Sequence, residues 1–307
     1  MQIYDLCVAW NWQYDANFVQ ALEMACQANQ LSLLQVTPDN LSATLQALVD
    51  RQISFYALFD RASDTDESFK LLDLWARQGE VLRINRFRRA RRAWNKATMH
   101  EELLSAGMEA PNVIVLPSFN EQPILEALDL TCLGECFAIK PVHGGGGIGV
   151  CTGSTTWEEA LTSRQQFPAD QYLLQSQVFP ALLEGRPAWF RVIYCVGQVY
   201  PCWWDPSTHI YTPVDEAEIS HLNLHPLVDI PLTIASICQL ELFSSEIALT
   251  PSGNFLVVDY VNDPIDLRLQ SQVAEGVPDQ IVTTIASELA LYAASYCQIP
   301  LVYAEQA

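Results

Sequence analysis

Apolar positions recur at two spacings over the first 85 residues, and the two spacings alternate. Residues 3–8, 31–36, 53–59 and 81–84 are short apolar runs of the kind that form buried strands. Between them, Phe18, Leu22 and Ala25, then Leu41, Leu45 and Leu48, then Phe69, Leu72 and Ala76 lie three or four residues apart, each set on one helical face. Pro38-Asp39 supplies a start signal for the second helix. Strand and helix in alternation predict a parallel sheet covered by helices, an α/β domain over residues 1–92. It carries no glycine-rich nucleotide fingerprint.

The pattern then changes. Residues 95–107 read as a helix ending in Gly107, and 113–116 as a strand stopped by Pro117. Residues 137–141 form a short strand entering the run His143-Gly-Gly-Gly-Gly-Ile-Gly149, and Thr155 to Glu159 opens a helix. A strand over 172–179 ends at Pro180. Apolar runs 190–196 and 198–204 flank Gly197, and 247–249 and 255–261 flank Pro251-Ser-Gly-Asn254, which are two hairpin signals. Ile281, Ile285, Leu289, Tyr292 and Tyr296 form the core stripe of a last helix.

The net charge of -20 opposes non-specific nucleic-acid binding and attraction to anionic membranes. Yet Arg83, Arg86, Arg88, Arg89, Arg91, Arg92 and Lys96 concentrate seven of the 16 basic residues in one stretch. This reads either as a solvated basic surface or as a patch for an acidic or phosphate-bearing substrate, with Arg88 and Arg91 as candidates. No apolar run approaches the roughly 20 residues that span a bilayer. The nine cysteines include no C-x-x-C pair, and the N-terminus has no signal-peptide pattern, so the expected compartment is the reducing cytoplasm.

Candidate chemistry lies in the second and third segments. Lys140 ends an apolar strand, where an ammonium is costly unless something anionic meets it. Glycines at 144–147 and 149 let backbone N–H groups approach an anion and let the loop move as a lid, with His143 beside it. Glu246 and Asp259 lie on the two arms of a hairpin and repel unless a cation joins them; Asn262 adds a neutral oxygen. Hard oxygens with no His or Cys select Mg²⁺ or Mn²⁺. Leu174-Gln175-Ser176-Gln177-Val178 suits backbone pairing with a base edge, Glu184 can accept from ribose hydroxyls, and Arg191 with Lys140 can clamp a transferring phosphoryl group.

This ordered set, covering roughly residues 90–270, resembles the ATP-grasp superfamily, which includes D-alanine–D-alanine ligase, glutathione synthetase and the ribosomal-protein glutamate ligases. The resemblance implies an α+β grasp: the N-terminal α/β domain, a central subdomain over 93–180 with the lid, and a C-terminal subdomain over 181–307 with the metal site. By it, Lys96 and Lys140 hold ATP phosphates, Gly144, Gly145, Gly146, Gly147 and Gly149 form the lid, and Gln175, Ser176, Gln177 and Val178 make the adenine hinge. Glu184 accepts from ribose, Arg191 stabilises the transferring phosphate, and Glu246, Asp259 and Asn262 coordinate Mg²⁺. The family's usual ending is acid-x-Asn. Here Asp259 and Asn262 are one residue farther apart, which turns Asn262 to the other face unless the strand breaks. Gln175 stands where family hinges often carry Glu.

The implied reaction is carboxylate activation by ATP as an acyl phosphate, then attack by an amine, on small-molecule or peptide substrates, in a protein that can form a homodimer. The alternatives are a kinase using Asp263, Asp266 or Asp205 as base, and a nucleotide-binding module without turnover. Arg268 is placed to meet a substrate carboxylate, or to pair with Asp263 or Asp266. Trp203-Trp204 reads as core.

Overall fold

A computed structural model describes residues 1–297. The first sheet contains β1 (Gln2–Trp10), β2 (Leu33–Val36), β3 (Ile53–Arg61) and β4 (Leu82–Ile84), all parallel in the order β2-β1-β3-β4. Its central strands are buried on both faces, which is why they read as unbroken apolar runs. Leu6, Val8, Ala57 and Phe59 face α1 (Ala16–Ala28), whereas Cys7, Ala9, Phe55 and Leu58 face α2 (Leu41–Val49) and α3 (Lys70–Gln78).

Next come α4 (Phe87–Ala93) and α5 (Lys96–Ser105). The second sheet is antiparallel, with β5 (Val113–Leu116), β6 (Phe137–Pro141), β7 (Cys151–Ser154) and β8 (Tyr172–Ser176) in the order β5-β8-β6-β7. α6 (Trp157–Ser163) has a capping box between Thr156 and Glu159. The strand expected to run to 179 ends at Ser176. Arg164, wholly buried, donates to the carbonyls of Pro117, Ser118 and Gln122 and so fixes the long irregular segment between β5 and β6.

A two-residue-arm hairpin, β9 (Leu182–Leu183) and β10 (Arg186–Pro187), leads to the third sheet. This sheet is antiparallel in the order β13-β12-β11-β14-β15, with β11 (Trp189–Cys195), β12 (Gln198–Trp204), β13 (Tyr211–Pro213), β14 (Leu242–Leu249) and β15 (Phe255–Asn262). α7 (Glu216–His221) and α8 (Pro226–Cys238) connect β13 to β14. α4, α5 and α8 pack behind this sheet through Ala90, Met99, Leu103, Ile234, Phe243 and Tyr260. α9 (Asp279–Cys297) returns to the first sheet, where Ile285 and Leu289 join the cluster of Leu6 and Phe18. The closing helix is therefore core, as its stripe predicts, and the core it completes is shared by the N-terminal sheet and the third sheet, whose Ile193, Cys202 and Leu242 join the same cluster.

Two polar junctions tie the first and third sheets together. Arg61 pairs with Asp15 at 2.7 Å inside the protein and donates to the Ile265 carbonyl at 2.8 Å. Asn85, in left-handed backbone at φ 51°, donates to the Leu242 carbonyl and Asp263 and accepts from the N–H groups of Glu241 and Leu242. All four contacts leave a single amide side chain, so this residue has no apolar substitute. The nine cysteines are free.

Candidate functional site

Lys140 sits one residue from the end of β6. Phe137 and Ile139 enter the second sheet's own core, and alternation turns Ala138 and Lys140 to the opposite side. Gln175, the register partner of Ala138 on β8, shares that side. Both side chains reach the same acceptor in the third sheet: Lys140 Nζ lies 3.4 Å and Gln175 Nε2 3.1 Å from the Val258 carbonyl. Gln175 also meets Tyr260 Oη at 3.2 Å. Gln at 175 thus bridges two sheets with its amide donor, a bond an ionised Glu does not make to a carbonyl.

Glu246 and Asp259 are register partners on β14 and β15. From the pair Ser244–Asn262 to the pair Glu246–Asp259, β14 advances two residues and β15 three; the next step, to Ile247–Val257, is one against two. Each surplus residue is a β-bulge on β15. The first bulge absorbs the extra residue between Asp259 and Asn262, so the expectation that Asn262 turns away without a strand break is corrected. The strand continues to Asn262, whose amide donates to the Ser244 carbonyl at 3.5 Å and whose side chain helps to lower the Asp259 carboxyl pKa. The second bulge lies where the Val258 carbonyl receives Lys140 and Gln175.

On β11, Arg191 is the register partner of Glu246, and its Nη1 lies 2.8 Å from Glu246 Oε1. Its Nε bonds Ser244 Oγ at 3.2 Å, and Trp189 Nε1 meets Glu246 Oε2 at 3.3 Å. The guanidinium lies 5.1 Å from the Trp204 ring centre, while Trp203 and Trp204 are buried as core residues.

These charges are mutually dependent. Burial lowers the Lys140 ammonium pKa, and the neighbouring Asp259 and Glu246 only partly restore it. Burial alone raises the Asp259 carboxyl, but Lys96, Lys140 and Arg191, with Asn262, outweigh burial and hold it below the ordinary carboxylate range. Burial disfavours the charge on Arg191, yet Tyr211, Glu246, Asp259 and Asp266 raise it overall. The structure therefore brings Lys96, Lys140, Arg191, Glu246, Asp259 and Asn262 into one electrostatic cluster across the second and third sheets.

The glycine loop is tethered at its first residue. His143 N and Nδ1 both reach Asp170, at 2.9 and 2.8 Å, and Asn95 Nδ2 lies 3.3 Å from His143 Nε2. Nδ1–H donates to the carboxylate, leaving Nε2 to accept from the amide. Lys96 Nζ donates to the Gly144 carbonyl, and Asn95 caps α5 through Thr98 N. A Cβ at Gly144, Gly145, Gly146 or Gly147 meets nothing within 4 Å, whereas at Gly149 it meets Phe167 at 2.5 Å. The loop is open in its middle and packed at its end.

Ser176 and Gln177 continue from β8 through backbone bonds to Asn112 and Cys136, and Val178 packs with Ala248 and Val258, next to Trp189 and Leu256. Glu184 is elsewhere in local terms: at φ 51° it forms the exposed turn between β9 and β10 and engages His221 at 3.2 Å. Arg268 adopts the intramolecular option, with two contacts to Asp266 from Nε and one from Nη2 at 2.6 Å, between Trp12 and Tyr14. Arg88 and Arg91 are exposed on α4. Asp263 is buried, accepting from Asn85 and from Trp94 at 3.3 Å, and burial raises its carboxyl to about 7.

Sequence reasoning missed Trp189 and Ser244, which hold Glu246 and Arg191, and Asn95 and Asp170, which tether the glycine loop through His143. Only alternation from Arg191 and Glu246, at i−2 in each case, pointed to the first two.

Among the described residues no three His, Cys, Asp or Glu side chains converge as ligands of a metal ion. Two carboxylates and one amide nevertheless fit Mg²⁺, which takes one or two protein carboxylates and completes its shell with water and phosphate oxygens.

No family model matches the chain, and no curated protein matches it. Solved structures do. The ATP-grasp ligase PsnB, solved with a minimal precursor, Mg and ADP, superposes with a TM-score of 0.62 at 14% identity, over 96% of this chain and 99% of that one. A RimK domain ATP-grasp protein from Sphaerobacter thermophilus matches at 0.62 and 18% identity, covering 94% of this chain and 99% of that one. D-alanine–D-alanine ligase from Bacillus anthracis, solved with ATP, matches at 0.62 and 12%, covering 96% and 99%. This likeness establishes the fold: the chain has the ATP-grasp architecture.

Proposed function

We propose that this ATP-grasp chain is an ATP-dependent ligase that activates a carboxylate as an acyl phosphate for attack by an amine. The observation that carries the reading is the convergence of Lys140 and Arg191 with Glu246 and Asp259 from two separate sheets. A half-buried ammonium beside two carboxylates and a guanidinium is a balanced set that an added polyanion and divalent cation can enter without stranding a charge.

In this reading Lys140 and Lys96 bind nucleotide phosphates, residues 175–178 face the adenine, and Glu246, Asp259 and Asn262 hold Mg²⁺, or Mn²⁺ in its place. The metal, when bound, supplies Lewis-acid neutralisation of phosphoryl oxygens. Arg191 meets the charge that grows on the transferring phosphoryl group, and Trp189 and Ser244 fix the two side chains that flank it. The bond from Lys96 to the Gly144 carbonyl couples the lid to the phosphate region, so the glycine loop closes where water must be kept from an acyl phosphate. Glu184 is the weaker assignment, since its carboxylate already has His221 as partner.

A hydroxyl kinase needs an available base. Asp263 is buried between two donors, Asp266 is paired with Arg268, and Asp205 is bonded to Ser207, so none favours that alternative. The test is incubation with Mg·ATP, a panel of carboxylic acids and hydroxylamine. Acid-dependent hydroxamate with stoichiometric ADP is expected. Phosphate transferred stably to an alcohol, or nucleotide binding without ADP release under every acid, overturns the reading.

A further inference from the structure

A line of buried hydrogen bonds runs from the charge cluster into α5. Val258 has no register partner on β14, because the second bulge of β15 sets Val257 opposite Ile247 and Asp259 opposite Glu246. Its carbonyl instead accepts from two side chains of the second sheet, Gln175 Nε2 at 3.1 Å and Lys140 Nζ at 3.4 Å. Gln175 Nε2 also meets Tyr260 Oη at 3.2 Å, and Tyr260 Oη meets His100 Nδ1 at 2.8 Å. Gln175 and Tyr260 are 1% exposed and His100 8%, so none of the three can exchange its partner for bulk water.

Chemistry fixes the direction of every bond in this line. The Val258 carbonyl can only accept, so the Gln175 atom facing it is the amide nitrogen, whose two hydrogens go to that carbonyl and to Tyr260 Oη. The Tyr260 hydroxyl has a single hydrogen, and His100 Nδ1 is the acceptor within its reach. His100 is therefore neutral with its ring proton on Nε2, and burial favours that form by lowering its pKa. The acceptor at the far end matters to the near end. Without it the Tyr260 hydroxyl can turn its hydrogen towards Gln175, whose amide then gains by presenting Oε1. That flip sets oxygen against the Val258 carbonyl and leaves the carbonyl to Lys140 alone.

We infer that His100 is a positioning residue of this site: through Tyr260 it holds the Gln175 amide, and through Gln175 it holds the Val258 carbonyl that seats Lys140 beside Asp259. Its effect on Mg·ATP binding rests on the ATP-dependent reading and is carried by Lys140 and Asp259.

The test uses the full chain in two measurements. Calorimetry with Mg·ATP is expected to show binding weakened at least about tenfold by His100→Leu, the scale of a buried hydrogen-bonding group left unsatisfied. Tyr260→Phe, which removes only the hydroxyl, is expected to do the same. His100→Asn, whose Oδ1 replaces the Nδ1 acceptor, stays within about threefold of wild type. In a Gln175→Leu background, His100→Leu adds less than about twofold, since the line is already cut. Nitrogen NMR of the nucleotide-free chain reads the line itself. Expected are an unprotonated His100 Nδ1 in wild type, slowly exchanging Gln175 amide hydrogens in wild type and His100→Asn, and fast exchange in His100→Leu and Tyr260→Phe. Lower melting temperatures with unchanged affinity, losses that add in the double variant, or a protonated Nδ1 at neutral pH overturn the inference. No Mg·ATP binding by wild type with the NMR signature intact instead sinks the ATP-dependent reading and leaves the hold of His100 on Gln175 standing.

Discussion

Substituting alanine at Gly149 tests the division of the glycine loop into an open middle and a packed end. Gly149 has φ 75°, and a Cβ there lies 2.5 Å from Phe167 Cε2 and 2.9 Å from Pro141 Cγ. Gly146 has φ 62° and nothing within 4 Å of the same position. Both alanines incur the left-handed backbone penalty of about 1–2 kcal/mol. Only Gly149→Ala adds an overpacking cost of about 1–3 kcal/mol, because the Phe167 ring must shift. The difference corresponds to roughly 5- to 150-fold faster local opening. Hydrogen exchange at the amides of His143, Val150 and Asp170 reads it directly, since their acceptors are Asp170, Gly147 and Phe167. Equal exchange in the two variants refutes the claim that the loop is anchored at Gly149.

Other expectations are as specific. Arg164→Met removes the donors to Pro117, Ser118 and Gln122; charge-assisted bonds of about 1.5–3 kcal/mol each are lost, so limited proteolysis within residues 117–136 accelerates at least tenfold, and unchanged cleavage contradicts it. Gly276→Ala places a Cβ 2.6 Å from the Arg268 carbonyl oxygen and the Leu269 carbonyl carbon; backbone cannot yield as a side chain does, so the melting temperature falls by several degrees, and an unaltered value contradicts that clash. Burial pushes the Asp263 carboxyl up to about 7 from its ordinary 3.8. The unfolded chain ionises first, so this carboxyl costs stability progressively as pH rises between those values. Asp263→Asn is therefore expected to gain on wild type from pH 4.5 to 7.5 in denaturant titrations, whatever fixed offset its amide brings against Trp94; a pH-independent difference refutes the assignment.

The parallel N-terminal sheet was legible because burial on both faces leaves uninterrupted apolar runs, and Lys140 and the hairpin acids stood out because they interrupt such runs. The start of β14 was not, because Ser244, Ser245 and Glu246 are polar yet lie inside the sheet, satisfied by partners distant in sequence. α8 was hidden by Pro226 and by Pro231 inside the helix, which read as breakers although Pro226 occupies the first turn. The face of Asn262 could not be read from spacing, since bulges on β15 rephase alternation without a glycine to mark them. Arg268 had two readings of equal chemical merit, and only the position of Asp266 decided between them.

The claim on which the rest depends is that residues 140, 246 and 259 form one Mg·nucleotide cleft. Calorimetric titration of the chain with ATP, with and without Mg²⁺, alongside Lys140→Met and Asp259→Asn, tests it most directly. Expected are Mg²⁺-dependent binding by wild type and a loss of about 10- to 1,000-fold in both variants, the range for a cation or ligand facing phosphate at an effective dielectric near 20. Binding that ignores Mg²⁺, or that survives both substitutions, contradicts it.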